Sequence, residues 1–189
     1  MNPFLACALG LALVAPAGAV VYSESIDGEL SGIHTSPTPL TLDVGSNSLL
    51  GDLAGGGTDV DLLSLVVPTG AELVAIRLAA FSGGGAGSFF GMQPGSILSS
   101  PPSSTFPDAI GYVLISGGLV GTDVLDEVVF GPPFNFQQPL PAGEYAVWLN
   151  ETGAASSYEL NFEVAAIPEP SLPAVLGLSA LVLLPRRKR

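Results

Sequence analysis

Tyr158, Leu160, Phe162 and Val164 alternate with Ser157, Glu159, Asn161 and Glu163 in the stretch SYELNFEV. Apolar residues at every second position fall on one side of an extended chain. The stretch therefore predicts a β-strand with one buried and one wet face. The same logic applies to PAGEYAVWLNETG. Tyr145, Val147 and Leu149 should face in, and Glu144, Ala146, Trp148 and Asn150 should face out. The intervening Glu151 to Ala155 reads as a turn, so the two strands predict an antiparallel hairpin.

Upstream, DVDLLSLVVPTGAELVAIRLAAF sets Leu63, Leu65 and Val67 on one face and Leu62, Ser64 and Val66 on the other. Pro68-Thr69-Gly70 reads as a turn, after which Leu73, Ile76 and Leu78 carry the next apolar strand. Weaker strand candidates are Val20–Ile26, Leu40–Val44, Ser48–Leu53, Ile110–Ser116 and Val124–Phe130. The stretch SGGGAGSFFGMQPGSILSSPPSSTFPD is read as loop. The chain holds 24 Gly and 17 Pro, and residues of these types break long helices and favour turns. Seven to nine short strands joined by such turns predict an all-β fold, an antiparallel jelly-roll-like β-sandwich.

Charge excludes one class of partner. The five Lys and Arg are Arg77, Arg186, Arg187, Lys188 and Arg189. Of 17 acids, Glu169 lies in the tail and the other 16 lie between Val20 and Ile167, which leaves that central region at −15 against a whole-chain −12. A body with one base cannot hold a phosphate backbone by charge, so nucleic acid is not a partner. The only Cys is Cys7, in the N-terminal apolar run, so the remainder has no thiol chemistry.

The two ends are distinctive. Phe4 to Val14 is an apolar core of signal-peptide length, Pro16 ends it, and Ala17-Gly18-Ala19 supplies small residues for cleavage after Ala19. Residues 1–19 are therefore read as a signal peptide and 20–166 as the ectodomain. The last segment, 167–189, has three parts. Pro168-Glu169-Pro170 is stiff and extended. Leu172 to Leu184 carries no charge and would span about 20 Å as a helix, short of a hydrocarbon core of about 30 Å. Arg186, Arg187, Lys188 and Arg189 then act as a topological stop. Bases beside an apolar helix stay on the cytoplasmic side, which puts the body outside.

This order of motif, helix and bases resembles the PEP-CTERM sorting signal of exported bacterial proteins. The resemblance implies processing by an exosortase, a membrane-embedded cysteine transpeptidase, near Pro168, Glu169 and Pro170. It also implies an exopolysaccharide-producing bacterium of Gram-negative type. A second resemblance rests on TDVDLLSLVVPTGAELVAIRL and LPAGEYAVWLNETG…SSYELNFEV. These blocks look like the bacterial pre-peptidase C-terminal type of domain, a small jelly-roll-like sandwich of secreted proteins. That likeness implies a non-catalytic accessory domain, some of whose relatives bind calcium or polymers.

Within the body, Asp59 and Asp61 follow Gly55-Gly56-Gly57 and are two apart at a strand start. With Asp43, Asn47 or Asp52 they would offer oxygens to a Ca²⁺, which takes six to eight. The ordinary alternative is two solvated aspartates, with no cofactor. His34 is the only His and lies in a polar loop, so zinc and Ser-His-Asp chemistry have no second residue to stand on. Arg77 should face out and pair across strands. Trp148 is the one aromatic placed to stack on a sugar, although Tyr145 points the other way. Asn150 opens an Asn-Glu-Thr sequon. Asp126 and Glu127 would alternate faces on a strand.

These features predict a non-enzymatic protein, exported and processed by signal peptidase and exosortase. It would be held in the inner membrane by its C-terminal helix and then displayed on the cell surface or in an extracellular matrix with exopolysaccharide. The alternative is a carbohydrate-binding accessory module, with calcium as a stabiliser. A glycosidase built on two carboxylates is the third and least supported reading.

Overall fold

A computed structural model describes residues 19–83, 85, 87–101, 111–128 and 138–168. The predicted signal peptide up to residue 18 and the tail from 169 lie outside these residues. Among the described residues no helix is long and apolar enough to cross a membrane.

The described chain is mostly β. It contains β1 (Ala19–Ser23), β2 (Thr38–Thr41), β3 (Gly45–Leu53), β4 (Val60–Gly83), β5 (Ser88–Pro94), β6 (Gly111–Ile115), β7 (Leu140–Asn150) and β8 (Ser156–Ala166). Two single-turn helices, α1 (Glu24–Asp27) and α2 (Val124–Glu127), complete it with a short 3-10 turn at Gly117–Leu119. The hydrogen-bonded order is β1-β3-β8-β4-β7-β5-β6, with β2 alongside β4.

β4 organises the molecule. Its first half pairs with β7 (Leu63 opposite Val147) and with β2, its second half pairs with β8 (Ile76 opposite Phe162), and β7 continues past the irregularity to Glu72 and Leu73. The switch falls at 68–70, where Gly70 takes a positive φ of 78° that a side chain would strain. Pro68-Thr69-Gly70 is thus a bend within one strand rather than a reversal between two, because β7 pairs with β4 on both sides of it and the two halves do not pair with each other. The sheet doubles over there into a β-sandwich-like arrangement. Leu63, Leu65 and Val67 of the first half share one buried core with Ile76 and Leu78 of the second. Tyr145, Val147 and Leu149 meet Tyr158, Leu160, Phe162 and Val164 in that core, as their alternation predicts. The uneven spacing of Leu73, Ile76 and Leu78 has a local cause, for the register with β8 slips between Leu73 and Ala75.

The expected β7–β8 hairpin does not form. β7 pairs with β4 and β5, while β8 pairs with β3 and β4, so consecutive strands enter different layers. The connection turns a corner around Glu151. This side chain is 1% exposed, accepts from the Gly153 amide at 2.6 Å and from Ser88 Oγ at 2.8 Å, and its own carbonyl accepts from Gly57. A carboxylate satisfied this fully holds five residues in a corner that sequence alone reads as a hairpin loop.

Other boundaries move. The strand expected over 20–26 stops at Ser23, and Glu24–Asp27 turns into α1. The strand expected over 124–130 is α2 as far as Glu127, capped by the Asp123 carboxylate accepting from the Leu125 amide at 3.0 Å. Asp126 and Glu127 therefore lie on a helical turn, not on a strand. The stretch read as loop contains β5, whose Phe90 and Met92 are in the core. A run of Gly and Ser on both sides masked that short strand.

Candidate functional site

Parity along β4 continues outward from the core. Asp61 lies on the face of Leu63, Leu65 and Val67, so it points between the layers instead of into solvent. It is 0% exposed. The Tyr158 hydroxyl, carried by β8, donates to Asp61 Oδ2 at 2.6 Å. Room for that ring comes from Gly51, directly opposite Tyr158 on β3, where a Cβ would collide with the phenol. Asp61 Oδ1 is buried and has no hydrogen-bond donor among the described residues.

Two glutamates from the N-terminal segment meet this aspartate. One carboxylate oxygen each from Glu24, Glu29 and Asp61 lies within 4.8 Å of the others. Glu24 heads α1, and Glu29 follows the Gly28 that ends it. The Glu24 carboxylate accepts from the Leu30 amide at 3.1 Å and from the Asp52 amide. Leu30 is itself core, 3% exposed, so the segment is anchored just beyond Glu29. Asp59 stands beside the trio and accepts from the Ala54 amide at 2.7 Å.

Electrostatics make this arrangement costly when empty of positive charge. Two unit charges about 5 Å apart repel by roughly 3 kcal/mol at an effective dielectric near 20. Burial first, then the charges of Glu24, Asp59 and Glu29, push the Asp61 carboxyl up to about 8, against the lowering effect of the Tyr158 hydrogen bond. Burial also raises Glu24 and Glu29, each with added repulsion from neighbouring acids. The Tyr158 phenol is pushed well above its ordinary range by burial and by Asp61, so it remains a donor. Burial and repulsion favour a proton on Asp61, or a cation beside it, over three bare charges. Its donors are all carboxylate oxygens, the ligand type of a hard divalent ion such as calcium. A cleft of about 420 Å³ opens at its edge, lined by Glu29, Asp52 and Asp59 and by Ser82 and Ser157 from the facing strands.

The sequence-selected residues separate here. Asp61 belongs to the trio, and Asp59 flanks it. Asp52 contributes its amide to Glu24 and lines the cleft. Asp43 and Asn47 are elsewhere, since Asn47 closes its own turn by accepting from the Asp43 amide at 2.9 Å and donating to the Asp43 carbonyl at 2.8 Å. Glu24 and Glu29 escaped sequence reasoning, because 32 or more residues separate them from Asp61 and nothing in their spacing suggests a ligand set. The signal that existed was the parity of Asp61 with Leu63 and Leu65, a carboxylate at a core position.

Trp148 corrects an expectation. It does face away from Tyr145, but the outer face of this layer is covered. Trp148 is 1% exposed, stacks on Phe89 with ring centroids 6.1 Å apart and 3° between planes, and packs with Leu62, Ala146 and Leu98. Leu98 sits on a loop tied down through His34, whose carbonyl accepts from the Leu98 amide and whose Nδ1 lies 3.1 Å from the Leu98 carbonyl. A ring so enclosed offers no platform to a sugar. His34 is thereby a loop tether. Arg77 faces out and pairs with Glu163 at 2.6 Å. Asn150 is half-buried at the end of β7, with its Oδ1 buried. Pro170 and the bases Arg186, Arg187, Lys188 and Arg189 lie outside the described residues, as does Glu169; Pro168 is the last residue within them.

No protein-family model matches the chain, and no curated protein is similar to it.

Proposed function

We propose that this is a non-enzymatic surface or extracellular-matrix protein, exported and then processed by an exosortase at Pro168-Glu169-Pro170. Its body is a jelly-roll-like sandwich, antiparallel except where β1 lies parallel to β3 and β2 parallel to β4, delivered with exopolysaccharide. One observation carries the reading: the folded body ends directly beside the Pro168-Glu169-Pro170 stretch. β8 ends at Ala166, the Ile167 amide donates to the Gly70 carbonyl at 2.7 Å, and the motif begins at the next residue. Cleavage after about Pro170 would leave β8 whole.

The composition of the body agrees with a scaffold rather than a catalyst. One His, one Arg and no Lys or Cys lie between Val20 and Ile167. Acyl transfer, Schiff-base chemistry and thiol chemistry lack their usual groups there.

Mass spectrometry of the exported protein tests the reading. A mature chain that starts near Val20 and has lost everything after about Pro170 is the expected result. An intact C-terminal Arg189 on the exported protein would overturn it.

A further inference from the structure

The acidic centre between the N-terminal segment and β4 has no role in the sorting reading, and its chemistry points elsewhere. Three facts converge on it. Carboxylate oxygens of Glu24, Glu29 and Asp61 lie within 4.8 Å of one another. That is the span two oxygens reach across one ion when each ligates it at about 2.4 Å, within the calcium range. Asp61 is 0% exposed, one of its carboxylate oxygens belongs to the trio, and its Oδ1 is buried with no donor among the described residues. A buried carboxylate oxygen left in this state is costly unless something positive satisfies it. Finally, the single base among the described residues, Arg77, is engaged with Glu163.

We propose that Glu24, Glu29 and Asp61 form a binding site for a divalent, oxygen-seeking cation of the calcium class, and that the bound ion clamps the N-terminal segment onto the sandwich. Two ligands stand on residues 24–29 and the third on the body strand β4. The ion therefore joins two parts of the chain that otherwise meet here with like charge. The α1 turn buries none of its own residues, and Ile26 on it is 82% exposed, so little apolar contact holds it down. β1 precedes it as a short parallel strand at the end of the sheet order. An exported body meets calcium far above cytoplasmic levels, so the clamp would close after transport. Waters and Asp59, from the open cleft side, are the natural source of the remaining oxygens.

Calcium titrated calorimetrically into the full chain, held in detergent and freed of chelator, tests the site. One bound ion per chain is expected, with magnesium at least tenfold weaker. Asp61→Asn and Glu29→Gln should each weaken calcium at least tenfold, while Asp126→Asn on α2 leaves it unchanged. Asp61→Asn should fold in chelator at least as well as the parent, since it puts a permanently neutral group of the same shape beside Glu24 and Glu29. If it does not fold, Glu29→Gln, an exposed change of equal shape, decides. Hydrogen exchange reads the clamp: amides of residues 19–30 should exchange at least fivefold more slowly with calcium than with chelator. No binding up to millimolar calcium, or unchanged affinity in both variants, overturns the site. Calcium binding with unchanged exchange of residues 19–30 overturns the clamp.

Discussion

The Tyr158 hydroxyl and the Asp61 carboxylate meet across the two layers at 2.6 Å, both buried. Tyr158 comes from β8 and Asp61 from the first half of β4, strands that do not pair there. This bond joins the layers at the end of the sandwich that carries the acidic centre. Removing the donor by Tyr158→Phe leaves Asp61 Oδ2 without its partner. The expected cost is about 1–3 kcal/mol in chelator, read from urea unfolding. A variant as stable as the parent would show that water replaces the hydroxyl.

Gly51 should be intolerant for a related reason. Any Cβ at this position runs into the Tyr158 ring. Gly51→Ala is expected to cost about 1–3 kcal/mol through overpacking, and to weaken cation binding by displacing the hydroxyl from Asp61. The paired measurement is unfolding in chelator and calcium affinity. Loss of stability alone would mean the ring shifts without moving the carboxylate.

The pH dependence of the cation-free protein has a defined sign. The Asp61 carboxyl is raised to about 8 from an unfolded value near 4, so the folded state binds more protons than the unfolded state between them. The stability tied to protonated Asp61 is fully present below the unfolded pKa and is lost as pH rises through about 8. Glu24 and Glu29, also raised, act in the same direction. In chelator the thermal midpoint should fall from pH 5 to pH 9. Saturating calcium should flatten that fall, because the ion takes the place of the proton. A midpoint that rises across this range would contradict the burial of Asp61.

Trp148→Ala should act as a core mutation. Loss of the ring from its enclosure with Phe89 and Leu98 is expected to cost about 3–5 kcal/mol. Binding to the producer's polysaccharide, measured on the fraction that remains folded, should not change. Arg77→Ala offers a contrast. Its ion pair with Glu163 is surface-exposed, and the expected cost is below about 1 kcal/mol.

The faces of the strongest strands were legible from period two alone. Tyr145, Val147 and Leu149, and Tyr158 to Val164, lie in the core as expected, since alternation is a local property of extended chain. Arg77 facing outward follows from the same rule. Partners were another matter. The β7–β8 hairpin looked complete in sequence, yet β4 takes both strands as neighbours, one in each layer. Pairing depends on the bend at Gly70 and on the corner built around buried Glu151, and neither leaves a periodic trace. Trp148 shows the limit of a face assignment, because alternation says which way a ring points and nothing about which loop covers it.

The sequence by itself determined the all-β character of the chain, the inward and outward positions of its main strands, and the acidity of a body with one base. Those properties rest on neighbours along the chain, where sterics and hydrophobic period act directly. Only the tertiary structure decided that Asp61 meets Glu24 and Glu29. That encounter requires β1 to dock on β3, β4 to fold over at 68–70, and Tyr158 to cross between layers. Charges so far apart in sequence come within a few ångströms because burial of the shared core outweighs their repulsion.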